Sequence, residues 1–465
     1  MNFIFSKKNI FNNILITAII FGVFIRCFLF IKNNSLFCDE VWLFNNIVDK
    51  TYFDLFNGLE NNQIAPPLFL LLSKLIINLF SSFDIYIRDF ALRIIPFICG
   101  IMSVLCFYIF AKNFIPKLFN LLIAMCLFIF NPLTINYSVI FKQYSLELFI
   151  STLLLLIFWN IIYKNMFKWK YLILVLLSPW LSLSSFFIVI PLLGLTFFYN
   201  KKVFKNIFIF YIIDCLLYYC IYLENIIHTN YGEMNEIWNY FGYFSFIHPI
   251  RILVQFGSVI SDTKLGALAF GGIIVAILLK TLFSKNVDIK TKLFLFLPIF
   301  FTMCLSSVHI YPFTGRLILF LLPLIVIILQ MSNSKMTILL LVLSMMISLY
   351  YTIKPLNEPP VRTATSGRQI KSFLEQNKFE NVFYIVDDIP TFEYYLPQNI
   401  DRDKVIYLQK PCNRNTNYCS NYINNLHSGN YILIAMYGCD EKNIFEKINY
   451  NIYLKSNSEI IYFKK

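Results

Sequence analysis

The stretch ILITAIIFGVFIRCFLFI, Ile14–Ile31, decides the fold class: it is apolar apart from Thr17 and Arg26, and it follows Lys7 and Lys8. A helix of this length, at about 1.5 Å per residue, crosses most of the roughly 30 Å of bilayer hydrocarbon. No small-residue cleavage site follows it and further apolar runs come after, so it reads as an uncleaved first helix with its N-terminus inside, not a signal peptide. The whole chain agrees. Of 465 residues, 58% are hydrophobic and 14% charged, against roughly 45–50% and 25% in soluble domains, which excludes a soluble enzyme. Lys and Arg total 39 against 26 Asp and Glu, a net charge of +13. That charge lies in short connections between apolar runs, where it orients helices in a bilayer and does not bespeak nucleic acid.

Further runs lie at Ala65–Phe80, Ile94–Ala111, Leu118–Ile135, Ser145–Tyr163, Tyr171–Leu181, Leu183–Tyr199, Asn206–Leu223, Leu265–Thr281, Leu293–Val308, Leu317–Met331 and Met336–Tyr351. If Ala65–Phe80 crosses, the basic connections around Lys164, Lys201 and Lys285 fall outside; if it does not, they fall inside together with Lys112, Lys117 and Lys335. Pro66 and Pro67 suit a helix start, and Ser73, Lys74, Asn78 and Ser81 recur at helical spacing. The segment therefore reads as a helix lying in the outer interface. The expectation is an all-α polytopic membrane protein with about 11 transmembrane helices, its N-terminus cytoplasmic. Tyr171–Leu181 and Leu183–Tyr199 form a short-armed hairpin through Ser182.

Residues 1–353 thus form the membrane domain and 354–465 a second, extracytoplasmic one. Pro355, Pro359 and Pro360 mark a linker. Beyond it the patterning gives a helix at Arg368–Asn377, strands at Asn381–Val386, Lys404–Leu408, Tyr431–Met436, Asn451–Lys455 and Glu459–Phe463, and a helix at Ser420–Leu426, hence a small α/β domain. It has no glycine-rich phosphate loop and no nucleophile elbow, and no catalysis is assigned to it. Of the 11 cysteines, Cys412, Cys419 and Cys439 lie in this polar tail, where a disulfide is open to two of the three outside the cytosol.

Polar residues gather at the outer mouths. Asp39 and Glu40 follow the first span; carboxylates at the water–membrane boundary suit general-base work, and equally a loop acid or helix cap. Lys142, Tyr144 and Glu147 follow the third span, and His309, Tyr311 and Arg316 another. Arg26 and Asp214 lie within spans and Arg93 at the start of one, which makes them functional candidates; Arg26 is equally placed to snorkel outward, and Asp214 to make a helix contact or ion pair. Together these describe a membrane cavity with carboxylates for base chemistry and cations for an anion, which fits a lipid-linked phosphate. The aromatic loop Glu224–Lys264 serves either to stack on a sugar or as an interfacial belt.

The segments Phe37-Cys38-Asp39-Glu40-Val41-Trp42, Gln63-Ile64-Ala65-Pro66-Pro67-Leu68, Leu92-Arg93-Ile94-Ile95-Pro96, Lys142-Gln143-Tyr144-Ser145-Leu146-Glu147 and Tyr311-Pro312-Phe313-Thr314-Gly315-Arg316 occur in an order that resembles bacterial GT-C glycosyltransferases. The resemblance is to the branch of the dolichyl-phosphate-mannose protein mannosyltransferases and the lipid A aminoarabinose transferases, over about the first 350 residues. It implies a GT-C-like fold with interfacial helices in the first outer loop, and an inverting transfer of sugar from a polyprenyl-phosphate donor to an extracytoplasmic lipid, glycan or protein acceptor at the cytoplasmic (inner) membrane. It makes Asp39 the base with Glu40 beside it, Lys142 and Arg316 phosphate binders, and Arg93 and Tyr144 supports of the cavity. Relatives carry an acid two positions before the lysine, where Ile140 stands here, so Glu147 is left to cover that role. The resemblance leaves a divalent metal open, since some GT-C enzymes hold one on carboxylates and this branch generally does not need it; the sequence shows no compact cluster of oxygen ligands, and no cofactor is assigned. A lipid-linked sugar transporter or an envelope assembly protein are the alternatives. Internal repeats would favour the transporter, and none is evident.

Overall fold

Proline and asparagine set the ends of the apolar helices. The computed structural model describes residues 7–227, 242–261, 264–331, 367–376, 381–385, 393–396, 405–408, 430–436, 450–454 and 458–464. By contact the chain divides into two units, Met1–Asn33 with Asn46–Leu356, and Asn34–Asn45 with Asn357–Lys465.

The first unit is helical. In chain order the helices are α1 (Lys7–Lys32), α2 (Cys38–Asp49, shared in sequence with the second unit), α3 (Pro67–Leu79), α4 (Ile85–Leu92), α5 (Ile94–Ala111), α6 (Leu118–Ile129), α7 (Pro132–Asn136) and α8 (Tyr144–Lys164). There follow α9 (Trp169–Leu181), α10 (Ser185–Tyr199), α11 (Lys201–Tyr218), α12 (Pro249–Gly257), α13 (Lys264–Phe283), α14 (Ile289–Ser307) and α15 (Leu322–Met331). Among the described residues six helical stretches are long and apolar enough to cross a membrane: Ile10–Lys32, Ile85–Ala111, Tyr144–Lys164, Lys201–Ile227, Lys264–Phe283 and Ile289–Ser307. Five shorter apolar helices accompany them, including α3, α9 and α10. The chain is a multi-pass membrane protein; the run at Met336–Tyr351 lies outside the described residues.

Three runs differ from their sequence reading. Leu118–Ile135 is not one helix. It breaks after Ile129, because Pro132 cannot donate into a continuing ladder, and Asn131 caps the new helix by accepting from the Leu133 and Thr134 amides at 2.9 and 3.2 Å. Leu317–Met331 begins as a 3₁₀ turn, Gly315–Leu321, before α15 opens at Leu322 with Pro323 in its first turn. In α3 the stripe read as facing the interface is partly interior: Ser73 and Lys74 are buried. The Lys74 ammonium donates to the carbonyls of Ile47 and Lys50 at 2.7 and 2.6 Å, so it caps the C-terminal end of α2, where orphan carbonyls and the helix dipole favour a cation.

Packing is closest where glycine lets backbones meet. A Cβ on Gly271 of α13 would lie 1.6 Å from the Leu253 carbonyl oxygen of α12, and one on Gly257 would lie 1.7 Å from that of Ala267. The two helices therefore touch backbone to backbone, the usual device where apolar burial cannot drive association. Gly100 of α5 leaves the room that Ser138 fills, and Gly22 of α1 that of Ile129. α8 lies among α5, α9 and α10, and its buried Leu154, Phe158 and Ile161 belong to the interior.

The second unit holds α16 (Gly367–Gln376) and a five-stranded sheet of β1 (Asn381–Ile385), β2 (Val405–Leu408), β3 (Asn430–Met436), β4 (Tyr450–Leu454) and β5 (Ser458–Lys464). The strand order is β2-β1-β3-β5-β4. β1 pairs in parallel with β2 and β3, placing Val382 beside Val405 and Ile432. β5 is antiparallel to β3 and β4, with an irregularity between Ile452 and Leu454. The segment Asn34–Asn45 belongs here. Its Leu36 amide donates to the Tyr395 hydroxyl at 2.6 Å, its Ser35 hydroxyl accepts from the Arg368 amide at 3.1 Å, and Phe44 meets the Tyr394 ring edge-on at 5.0 Å. The expected helix Ser420–Leu426 and the tail cysteines Cys412, Cys419 and Cys439 lie outside the described residues.

Candidate functional site

The start of α8 collects the larger share of the candidate side chains. The chain turns sharply through Tyr137–Gln143, and Lys142 and Gln143 reach one neighbouring segment. Buried Lys142 donates from Nζ to the Gln63 amide oxygen, and Gln143 Nε2 donates to the Ile64 carbonyl at 2.9 Å. Gln63 and Ile64 precede α3, so the lysine is held from a second element. One residue on, Tyr144 packs edge-on against Tyr137 with centroids 4.8 Å apart. The Arg316 guanidinium lies over the Tyr144 ring at 5.5 Å and donates a long 3.5 Å bond to the Tyr137 hydroxyl. A cation on an aromatic face is held in orientation while its N–H edge keeps its capacity to donate.

Glu147, one turn further along α8, is buried and hydrogen-bonded to the Ser184 hydroxyl. Tyr311 donates to the Leu317 carbonyl at 2.8 Å and packs on Phe187 at 4.7 Å. Its hydroxyl is held well above the usual range, chiefly by burial, with Glu147 and Tyr144 acting in the same direction. Lys142, Tyr144, Glu147, Tyr311 and Arg316 therefore share one neighbourhood.

The remaining candidates stand differently. Arg93, buried where α4 meets α5, donates to the Asn33 side-chain oxygen at 3.3 Å, and Asn33 donates onward to the Tyr86 carbonyl at 2.9 Å. Asn33 follows α1 with φ +44°, a left-handed residue of the kind that ends helices. His309, exposed and with φ +64°, stacks flat on Tyr243 at 4.5 Å. Asp39 and Glu40 occupy the first turn of α2, where carboxylates suit the dipole. Buried Glu40 accepts from the Phe37 amide at 3.1 Å, the back-reaching half of a capping box. Asp39, half-buried, opens the same turn.

Of the two charges inside helices, one departs from the sequence reading and one agrees with it. Arg26 does not snorkel: it is fully buried and donates to the Gly22 carbonyl and the Thr134 hydroxyl, each at 3.0 Å. Asp214 makes a helix contact, accepting from the Trp180 indole at 2.9 Å. Sequence reasoning gave no role to Gln63, Tyr137 or Ser184. The glutamine and tyrosine stand in stretches singled out for other residues, and nothing distinguishes Ser184 within Ser182-Leu183-Ser184-Ser185. Among the described residues no three His, Cys, Asp or Glu side chains come together as metal ligands.

No family model and no curated protein matches the chain. Solved structures do. The oligosaccharyltransferase of Archaeoglobus fulgidus, in complex with Zn and sulfate, superposes with a TM-score of 0.50 at 12% identity, covering 90% of this chain and 67% of that one. ArnT from Cupriavidus metallidurans, in the apo state, matches at 0.41 and 10% identity over 95% of this chain and 97% of its own. Bound to undecaprenyl phosphate, ArnT gives 0.40 and 10%, with 97% of each chain covered. In fold, this chain is similar to the archaeal oligosaccharyltransferase.

Proposed function

We propose that the protein is an inverting membrane glycosyltransferase that moves a sugar from a polyprenyl-phosphate donor to an extracytoplasmic lipid, glycan or protein acceptor. The observation that carries this is the grouping of Lys142 and Arg316 with Tyr137 and Tyr144 at the start of α8, in a chain with a glycosyltransferase fold. Lys142 and Arg316 meet the donor phosphate, and Tyr144 orients the guanidinium. As the acceptor oxygen bonds to the anomeric carbon, the carbon–oxygen bond to phosphate breaks and its electron pair leaves with the phosphate. Two cations fixed beforehand stabilise that growing charge without reorganising. Asp39 takes the acceptor proton, and Glu40 holds the helix turn that presents it. Glu147, buried one turn behind Tyr144, supports the tyrosines.

In this reading the chain crosses the membrane eleven times, with the N-terminus in the cytoplasm, α3 at the outer interface and residues after 353 outside as a separate domain. The test is transfer or hydrolysis of radiolabelled polyprenyl-phosphate sugars by purified protein, wild type beside Asp39→Asn. Turnover that disappears in the folded Asp39→Asn protein supports the assignment. Turnover that persists removes Asp39 from the chemistry, and donor binding without turnover across a donor panel points to lipid-sugar carriage.

A further inference from the structure

At the other end of α14 from Tyr311 lies a polar cavity that contains none of the candidate site residues. α14 has 19 residues, which at about 1.5 Å each puts the two ends roughly 28 Å apart. The cavity, of about 370 Å³, opens where α6, α13 and α15 approach the connection between α13 and α14. Since α13 and α14 are both long and apolar enough to span a membrane, the turn that joins them stands at a membrane boundary.

Its lining is unusual in sign. Lys117 and Lys280 supply two ammonium groups, Asn120 and Asn286 two amides, and among the described residues no acidic one lines it. Thr281 and Gln330 are 2% and 5% exposed, and both line the cavity. Among the described residues the Thr281 hydroxyl and the Gln330 Nε2 have no hydrogen-bond partner. A buried donor without an acceptor keeps its full desolvation penalty, so these two groups are built for an acceptor that arrives from elsewhere. Phe114, Ile115, Val287 and Met331 form the apolar remainder of the wall. Donors and ammonium groups without a carboxylate call for an anion. An apolar wall at a membrane boundary calls for one that carries a hydrocarbon tail.

We propose that this cavity binds the phosphate headgroup of an anionic phospholipid, with Lys117 and Lys280 on the phosphate oxygens and Gln330 and Thr281 donating to the headgroup. The site is independent of the transfer reaction proposed above.

Delipidated full-length protein in detergent is titrated with dioleoyl phosphatidylglycerol, with dioleoyl phosphatidylcholine and with inorganic phosphate. Binding is read by native mass spectrometry and by the shift in melting temperature. The expected result is a melting temperature raised by phosphatidylglycerol alone, and at least tenfold weaker binding in Lys117→Gln/Lys280→Gln. Gln330→Leu separates binding from folding: without its unsatisfied amide the lipid-free protein melts no lower than wild type, yet its response to phosphatidylglycerol shrinks. An equal response to phosphatidylcholine, no response to any lipid, or unchanged lipid binding in both variants overturns the proposal. A full response to inorganic phosphate overturns the lipid and reassigns the cavity to a free anion.

Discussion

Arg26 brings a guanidinium into the interior of α1, and its tolerance there depends on two oxygens, the Gly22 carbonyl and the Thr134 hydroxyl. Thr134→Val keeps the volume and removes one acceptor from a buried cation. The expected loss is about 0.5–2 kcal/mol, read as a lower melting temperature in detergent, with Arg26→Met/Thr134→Val recovering part of it. At the proposed reaction centre, Lys142→Gln removes a charge from the donor phosphate and is expected to lower turnover at least tenfold. Its effect should exceed that of Lys74→Gln, whose ammonium caps a helix and whose loss should show in melting temperature. Tyr395→Phe deletes the hydroxyl that accepts from Leu36 just ahead of Asp39. A severalfold fall in turnover with an unchanged donor Kd is the expected signature of a residue that positions the carboxylate.

Among the elements, α12 and α13 leave no space between their backbones, so Gly271→Val has nowhere to put its side chain but the Leu253 carbonyl. A loss of about 1–3 kcal/mol is expected, read by thermal unfolding, whereas Gly272→Ala, with open space around it, should be neutral. α14 begins at Asp288, whose carboxylate accepts from the Thr291 amide at 2.9 Å. Burial pushes this carboxyl up, but its hydrogen bonds to Thr291 and neighbouring amides outweigh that and leave it below the ordinary range. A depressed folded-state value means that the cap stabilises above the unfolded pKa of about 4 and is lost as pH falls through the folded one. Asp288→Ala should therefore cost about 1 kcal/mol at neutral pH and progressively less in acid. The long apolar runs and the tail strands were legible because periodicity reports burial directly. The break at Asn131–Pro132 carried its own proline signal, yet unbroken apolarity around it favoured one long helix. The burial of Lys74 and Arg26 was not legible, since their partners are backbone carbonyls and a hydroxyl distant in sequence. The grouping of Lys142 with Arg316 was legible only as a motif order, and its Gln63 and Tyr137 partners belong to tertiary structure.

For the whole molecule, the charge asymmetry makes a topological prediction. Cysteines introduced at Lys285 and at Asn57, in a background without reactive native thiols, should be labelled from opposite sides of the membrane, Lys285→Cys from the cytoplasm and Asn57→Cys from outside. Labelling of both from one side would remove a crossing from the count of eleven. The glycine contact between α12 and α13 also governs how the chain is made. α12 has nine residues, about 14 Å of helix, too little to partition into lipid alone. It gains its place only when Gly257 and Gly271 meet, so the two must leave the insertion machinery as a pair. A nascent chain stopped at residue 261 would hold an orphan segment, and should be cleared by membrane proteases faster than one stopped at residue 284.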